Sequence, residues 1–224
     1  MRSKPAMETI IFDMDGVLVD SEPYHVEIEK RMFERFNLKI SDEEHKNYMG
    51  KASDVMWSEI IRNRNLSWNL DEMVTLNFEE SKAYFSGLSH IDPMPGAVEL
   101  LEELFAMGIP MAVASSSDNQ TVDLIMNKSG LKKYFRHIVS SSLIGKSKPE
   151  PDIFLYTAKL MNTLPEKCIV VEDSTNGIKA AKAAKMFCVA YKGVSSGNQS
   201  HSLADEQITD FGKLKRILQR YFDI

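Results

Sequence analysis

Thr9-Ile10-Ile11-Phe12-Asp13-Met14-Asp15-Gly16-Val17-Leu18 decides the fold: four residues of strand-forming character stop at an acid, and a second acid and a glycine follow at once. A short apolar run with a polar stop is the pattern of a strand buried on both faces of a parallel sheet. Similar runs recur at Met111–Ala114, Ile138–Val139, Ile169–Val171 and Phe187–Ala190. Helical spacing fills the intervals between the later ones. Gly96–Met107 is apolar at Val98, Leu100, Leu101, Leu104 and Phe105, and Pro151–Met161 and Asn176–Ala184 have helical composition. Strand and helix in alternation imply an α/β chain with a doubly wound parallel sheet.

Residues 20–88 break this rhythm. Four helix-like pieces follow one another there without a convincing strand. Ile28, Met32, Phe33 and Phe36 share one face of the first. Ser41-Asp42-Glu43-Glu44 opens the second as a capping box. Met56, Trp57, Ile60 and Ile61 form the stripe of the third, and Leu70, Met73, Val74 and Phe78 that of the fourth. The expected organisation is a core of residues 1–19 and 89–224 with a helical insertion at 20–88, and Asp92-Pro93-Met94-Pro95-Gly96 marks the return to the core.

The 224 residues are 43% hydrophobic and 26% charged, enough apolar material for a core and far from the composition of a disordered chain. The insertion holds 14 Asp/Glu against 9 Lys/Arg, whereas the remainder holds 18 of each, so the net charge of −5 sits on the insertion. A mildly acidic chain without basic runs argues against nucleic acid as a partner. No stretch approaches the length of a membrane span. Met1–Ala6 is short and polar, without the apolar segment of a secretory signal, and is read as a loose leader. Cys168 and Cys188 lie in or beside apolar runs and are read as core residues, not as a disulfide or a metal site. The expected setting is the cytoplasm, with a monomer as the default state.

Ligands of open parallel sheets bind beyond the carboxyl ends of the strands. Four polar clusters fall there or at a helix start: Asp13-Met14-Asp15-Gly16, Ser115-Ser116-Ser117, Lys148-Pro149 and Glu172-Asp173-Ser174. Singly, each has a structural explanation, such as a turn, a loop or a helix cap. Jointly they form a set with one chemistry. Asp13, Asp173 and Glu172 offer the hard oxygen ligands that Mg²⁺ prefers. Mg²⁺ commonly works with phosphates, and a lysine and a hydroxyl aimed at the same oxygens add positive charge and a donor. Carboxylates at i and i+2 can divide labour, Asp13 attacking while Asp15 gives and takes the proton. Gly16 permits the sharp turn that brings backbone amides to the phosphoryl group.

These motifs resemble those of the haloacid dehalogenase superfamily, in its β-phosphoglucomutase-like branch with a helical cap. Asp13-Met14-Asp15-Gly16-Val17-Leu18 is similar to the first motif, Ser115 to the second, Lys148 in Ser147-Lys148-Pro149-Glu150-Pro151-Asp152 to the third, and Glu172-Asp173 to the fourth. The resemblance runs from Ile10 to about Tyr191 and implies a Rossmann-like core with an inserted four-helix cap. It also implies Asp13 as the phospho-aspartate and Asp15 as general acid/base and, through its backbone carbonyl, a metal ligand. Ser115, Ser116 and Lys148 are the implied phosphate binders, and Asp13, Asp15, Glu172 and Asp173 the implied Mg²⁺ site. Asp15 favours phosphate esters, because dehalogenases and phosphonate hydrolases of this type lack a carboxylate at that place.

For the substrate, the resemblance points to His25 on the first insertion helix, to Gly50 and Lys51 in a specificity loop, and to Ser117 and Asn119 after the second motif. A β-phosphoglucomutase interconverts β-glucose 1-phosphate and glucose 6-phosphate and must grip a second phosphate. The mutases do so with a cap arginine and a core lysine, and those positions here are Ser53 and Asp118. Glu29 stands where the mutase cap has an aromatic residue, whereas Asn119 still matches. The expected activity is therefore that of a phosphatase for a small phosphorylated metabolite. The mutase is the alternative, and a non-catalytic binding module is disfavoured by the presence of Asp13, Asp15 and Asp173.

Overall fold

The computed structural model describes residues 6–48, 51–193 and 199–222. Strand β1 (Thr9–Phe12) is followed by helices α1 (Glu22–Arg35), α2 (Asp42–His45), α3 (Ser53–Asn63) and α4 (Leu70–Gly87). Next come α5 (Ala97–Ala106), β2 (Met111–Ser115), α6 (Asn119–Lys128), β3 (His137–Ser140), α7 (Asp152–Leu160) and β4 (Cys168–Glu172). The chain ends with α8 (Thr175–Ala183), β5 (Phe187–Tyr191), β6 (Glu206–Ile208) and α9 (Phe211–Leu218). The first five residues of the proposed leader, and Gly50 of the proposed specificity loop, lie outside the described residues.

Among the described residues, six strands form one sheet in the order β3-β2-β1-β4-β5-β6, and every pairing is parallel. The expected doubly wound sheet is thus present. Every residue of β1, β2 and β4 is buried, which is why their sequences are apolar runs rather than alternations. Register puts Ile11, Val170 and Cys188 in one row across the sheet. That row packs with Ile153, Phe154 and Ala158 of α7 and Ile178 and Ala181 of α8. Phe12, Val113, Val171 and Val189 form the neighbouring row and are buried on the opposite face. Both cysteines are buried, free thiols.

Strand β6 and helix α9 extend the core beyond the five apolar runs legible in the sequence. Strand β6 has three residues, of which only Ile208 is buried, so it leaves no apolar run to read. It pairs at the sheet edge with Val189–Tyr191 of β5. Helix α9 buries Phe211, Leu214, Ile217 and Leu218, and Asp210 caps it by accepting from the Lys213 amide.

The chain divides into two units, Met1–Asp20 with His90–Ile224, and Ser21–Ser89. In the second unit Met32, Phe33, Tyr48, Met56, Trp57, Ile60 and Met73 form one apolar cluster. Two details depart from the sequence reading. The capping box at Ser41 is half made: Ser41 accepts from the Glu44 amide, but the Glu44 carboxylate turns to Arg64, at 2.6 and 2.8 Å. A charge-assisted bond to a guanidinium outcompetes one to a neutral amide. On α4, Phe78 is 39% exposed, and the buried stripe is Met73, Asn77, Ser81 and Phe85. Asn77 holds its place in that stripe because it accepts from the Trp57 indole and donates to the Ser53 hydroxyl, both at 3.2 Å.

Candidate active site

The sheet order reverses direction at β1, between β2 and β4, and the crevice beyond the carboxyl ends of those strands is where such sheets bind ligands. Asp13 is the residue after β1, and its amide donates to the Val171 carbonyl, continuing the ladder one step. Ser115 ends β2 and Glu172 ends β4. Asp173 therefore leaves the sheet beside Asp13. Gly16, at φ +74°, closes the turn after Asp13 by donating its amide to the Val19 carbonyl. A Cβ on Gly16 would lie 2.1 Å from an Asp173 carboxylate oxygen, so glycine is required here by space as well as by backbone angle.

Lys148 joins the clusters. Its ammonium donates to Asp13 Oδ1 at 2.5 Å, to Glu172 Oε1 at 2.6 Å and to the Ala114 carbonyl at 3.1 Å. All three side chains are buried, Asp13 at 5%, Lys148 at 8% and Glu172 at 0% exposure. Burial opposes the Lys148 charge, but the carboxylates of Asp13 and Glu172 outweigh it and hold the ammonium above the ordinary lysine range. Burial pushes the Asp13 carboxyl up to about 8 despite Lys148, and Glu172 and Asp15 add to the rise. Burial, then Glu172 and Asp13, also push Asp173 well above the usual carboxylate range.

Carboxylate oxygens of Asp13, Glu172 and Asp173 lie within 4.8 Å of one another. Three such groups share one ammonium, which bonds Asp13 and Glu172, so the cluster has more acids than cations. The donors are hard oxygens without histidine or cysteine, a set that suits a hard divalent cation. Glu172 commits both oxygens to the protein, Oε1 to Lys148 and Oε2 to the Ser174 amide and hydroxyl at 2.7 and 3.0 Å. It braces Lys148 and the Asp173 turn, and Asp13 and Asp173 are the better placed to meet a cation.

Asp15 points elsewhere. Its Oδ2 accepts from the hydroxyls of Ser115, at 3.1 Å, and Ser117, at 2.9 Å, and its side chain is not part of the carboxylate cluster. Ser116 is exposed, and its carbonyl accepts from the Ser141 hydroxyl at 2.9 Å. Asn119 is the exposed first residue of α6. In the inserted unit, His25 lies on α1 with its ring edge-on to Phe85, 5.8 Å between centroids. Lys51 forms an ion pair with Glu59 at 2.6 Å.

Residues 10–191 match the family described as haloacid dehalogenase-like hydrolase. The chain belongs to this family. A phosphorylated carbohydrates phosphatase of Thermotoga maritima is 31% identical over 212 residues, 95% of this chain and 97% of that relative. A β-phosphoglucomutase of Bacillus subtilis is 29% identical over 196 residues, 85% of this chain and 84% of that one. The crystal structure of a β-phosphoglucomutase from Clostridium difficile superposes with a TM-score of 0.80 at 26% identity, covering 96% of this chain and 97% of that chain.

The site of this haloacid dehalogenase-like hydrolase contains supports that motif reading passes over. Ser140 ends β3 and donates to the Ser117 carbonyl at 2.6 Å, so with Ser141 it props the loop after β2. The rule that singled out Ser115–Ser117, polar residues just past a strand, applies equally to Ser140-Ser141-Ser142. Gly177 is the other. A Cβ there would lie 1.6 Å from Glu172 Oε1 and 1.9 Å from its Cδ. In an ordinary helix Gly→Ala stabilises by about 1 kcal/mol. Here Gly177→Ala is expected to reverse that sign, destabilising by about 1–3 kcal/mol through overpacking. It should also lower turnover at least tenfold by dislodging Glu172 from Lys148. Urea unfolding and a phosphatase assay check it, and a stabilised, fully active variant would contradict the account.

Proposed function

We propose that this chain is a Mg²⁺-dependent phosphatase of small phosphorylated metabolites, sugar phosphates among them, working through a phospho-aspartate on Asp13. One observation carries the reading: at the sheet's switch point Asp13 is held by Lys148 at 2.5 Å, inside a carboxylate cluster that suits a divalent cation. The Thermotoga maritima relative, named for phosphorylated carbohydrates, supports the substrate class.

In the proposed reaction an Asp13 carboxylate oxygen attacks the phosphorus, and the bond to the ester oxygen breaks. The leaving oxygen takes a proton from Asp15. Water then attacks the phospho-aspartate and gives its proton back to Asp15, releasing phosphate and the free Asp13 carboxylate. The Ser115 and Ser117 hydroxyls that hold Asp15 fix its direction. Lys148 and Ser115 are read as donors to the transferring phosphoryl oxygens, with the Ser116 segment beside them. Asp13, Asp173 and the Asp15 carbonyl are read as the Mg²⁺ ligands, braced by Glu172. When bound, the ion neutralises phosphoryl charge and helps hold it in line. Activity should therefore require Mg²⁺, and Ca²⁺ should inhibit, because its longer bonds and looser coordination spoil that alignment. Full turnover in excess chelator would contradict this.

Residues 21–89 are read as the substrate-selecting cap, with His25, Gly50, Lys51, Ser117 and Asn119 as substrate contacts across the chain. The mutase reading needs a second phosphate grip. Asp118 caps α6, accepting from the Gln120 and Thr121 amides at 2.9 and 3.1 Å, and Ser53 accepts from Asn77. Both positions thus serve local structure, which supports hydrolysis over isomerisation. Asp118→Lys with Ser53→Arg should tighten bisphosphate binding while losing about 1 kcal/mol of stability with the cap. The deciding assay supplies β-glucose 1-phosphate with a trace of the 1,6-bisphosphate and follows glucose 6-phosphate against free phosphate. Efficient isomerisation with little phosphate released would replace the phosphatase by the mutase. No helix among the described residues is long and apolar enough to cross a membrane. The free cysteines support a cytoplasmic setting, and the acidic balance argues against a nucleic-acid partner.

A further inference from the structure

Asp173 occupies a stretch that neither sheet nor helix satisfies: β4 ends at Glu172 and α8 begins at Thr175. Its peptide groups must find partners elsewhere. The Ser174 amide uses Glu172. The Thr175 amide and the Asp173 carbonyl use a segment that follows β5. Thr175 donates its amide to Gln199 Oε1 at 2.8 Å, and its hydroxyl accepts from the Ser200 amide at 2.7 Å. His201 Nε2 lies 2.7 Å from the Asp173 carbonyl. A carbonyl can only accept, so Nε2 carries the proton. The residue is itself held: His201 is 8% exposed, and its backbone carbonyl accepts from the Gln207 side chain and from the Ala204 amide, both at 3.2 Å.

We propose that His201, with Gln199 and Ser200, is a positioning strap that sets the cation affinity of the carboxylate cluster by fixing the Asp173 turn from behind. The proposal rests on the Mg²⁺ reading above. Oxygens of the Asp173, Asp13 and Glu172 carboxylates crowd within 4.8 Å of one another, and an unrestrained turn would relieve that crowding by swinging the Asp173 side chain outward. Three hydrogen bonds from residues 199–201 to residues 173–175 oppose that swing. Groups that orient a ligand from outside the coordination sphere commonly change metal affinity 10- to 100-fold when removed. His201 contributes no atom to the reaction in this reading.

The test titrates Mg²⁺ calorimetrically into the full-length protein without substrate, using the unaltered chain, His201→Ala, His201→Gln and Thr175→Val. His201→Ala should weaken Mg²⁺ binding about tenfold. His201→Gln, whose amide can donate to the same carbonyl, should recover most of the loss. In turnover assays the Mg²⁺ activation constant should rise in parallel, while kcat at saturating Mg²⁺ stays within about twofold, as expected when only ion affinity is changed. Thr175→Val removes only the hydroxyl that accepts from Ser200, and it should weaken Mg²⁺ binding in the same direction if His201→Ala fails to fold. Folded variants with unchanged Mg²⁺ affinity, whatever their melting temperature, would overturn the strap alone. An unaltered protein that binds no Mg²⁺ would overturn the metal reading with it.

Discussion

Replacing Asp13 by asparagine abolishes turnover and leaves the protein folded: that is the expected result with the largest effect on activity. The amide is a poor nucleophile and a weaker ligand for a hard cation, so kcat should fall by at least about a thousandfold. Stability should not fall with it. Burial holds the Asp13 carboxyl up to about 8, so its charge is costly in the folded state, and Glu172 and Asp15 add repulsion. Asparagine keeps the shape, removes that repulsion and can still accept from Lys148. Thermal unfolding should give a melting temperature equal to or above that of the parent. Substantial phosphatase activity in the folded variant would remove Asp13 from its role.

Lys148→Met is expected to have the largest effect on stability. The ammonium bonds both the Asp13 and the Glu172 carboxylates, and all three groups are buried. Removing one partner of a buried ionic group costs about 3–5 kcal/mol, because the acids left behind must either stay charged without water or counter-charge or take up a proton. Urea unfolding at neutral pH measures the loss, and turnover should vanish with it. Adding Asp13→Asn to Lys148→Met should restore part of the stability, since one of the two stranded carboxylates is gone. Additive losses in that double variant would contradict the account of the triad.

The strands that carry the site were legible because parallel strands buried on both faces leave apolar runs, as at Thr9–Phe12 and Ile169–Val171. The acids and lysine were legible because each follows such a run or precedes a helix, the places where a doubly wound sheet gathers its chemistry. The remainder depended on contacts that no local pattern encodes. Strand β6 buries one residue, so its place was set by pairing with β5. Gly177 looks like any helical glycine until the Glu172 carboxylate is found where its Cβ would stand. His201 lies 28 positions from the Asp173 carbonyl it meets, beyond the last of the apolar runs. Glu44 had the spacing of a capping box, and the Arg64 guanidinium, 20 positions away, drew its side chain off. Phe78 had helical spacing with Val74, but Asn77 and Ser81 took the buried face once Trp57 and Ser53 supplied partners.

The central claim is that the phosphoryl group passes through Asp13, and its most direct test is chemical trapping. Borohydride added during turnover of a sugar phosphate reduces an acyl phosphate to an alcohol, converting a phosphorylated aspartate to homoserine. Mass spectrometry of the digested protein should find homoserine at position 13, dependent on both substrate and Mg²⁺, and absent from Asp13→Asn. Homoserine at another position, or none at position 13 while phosphate is being released, would contradict the account.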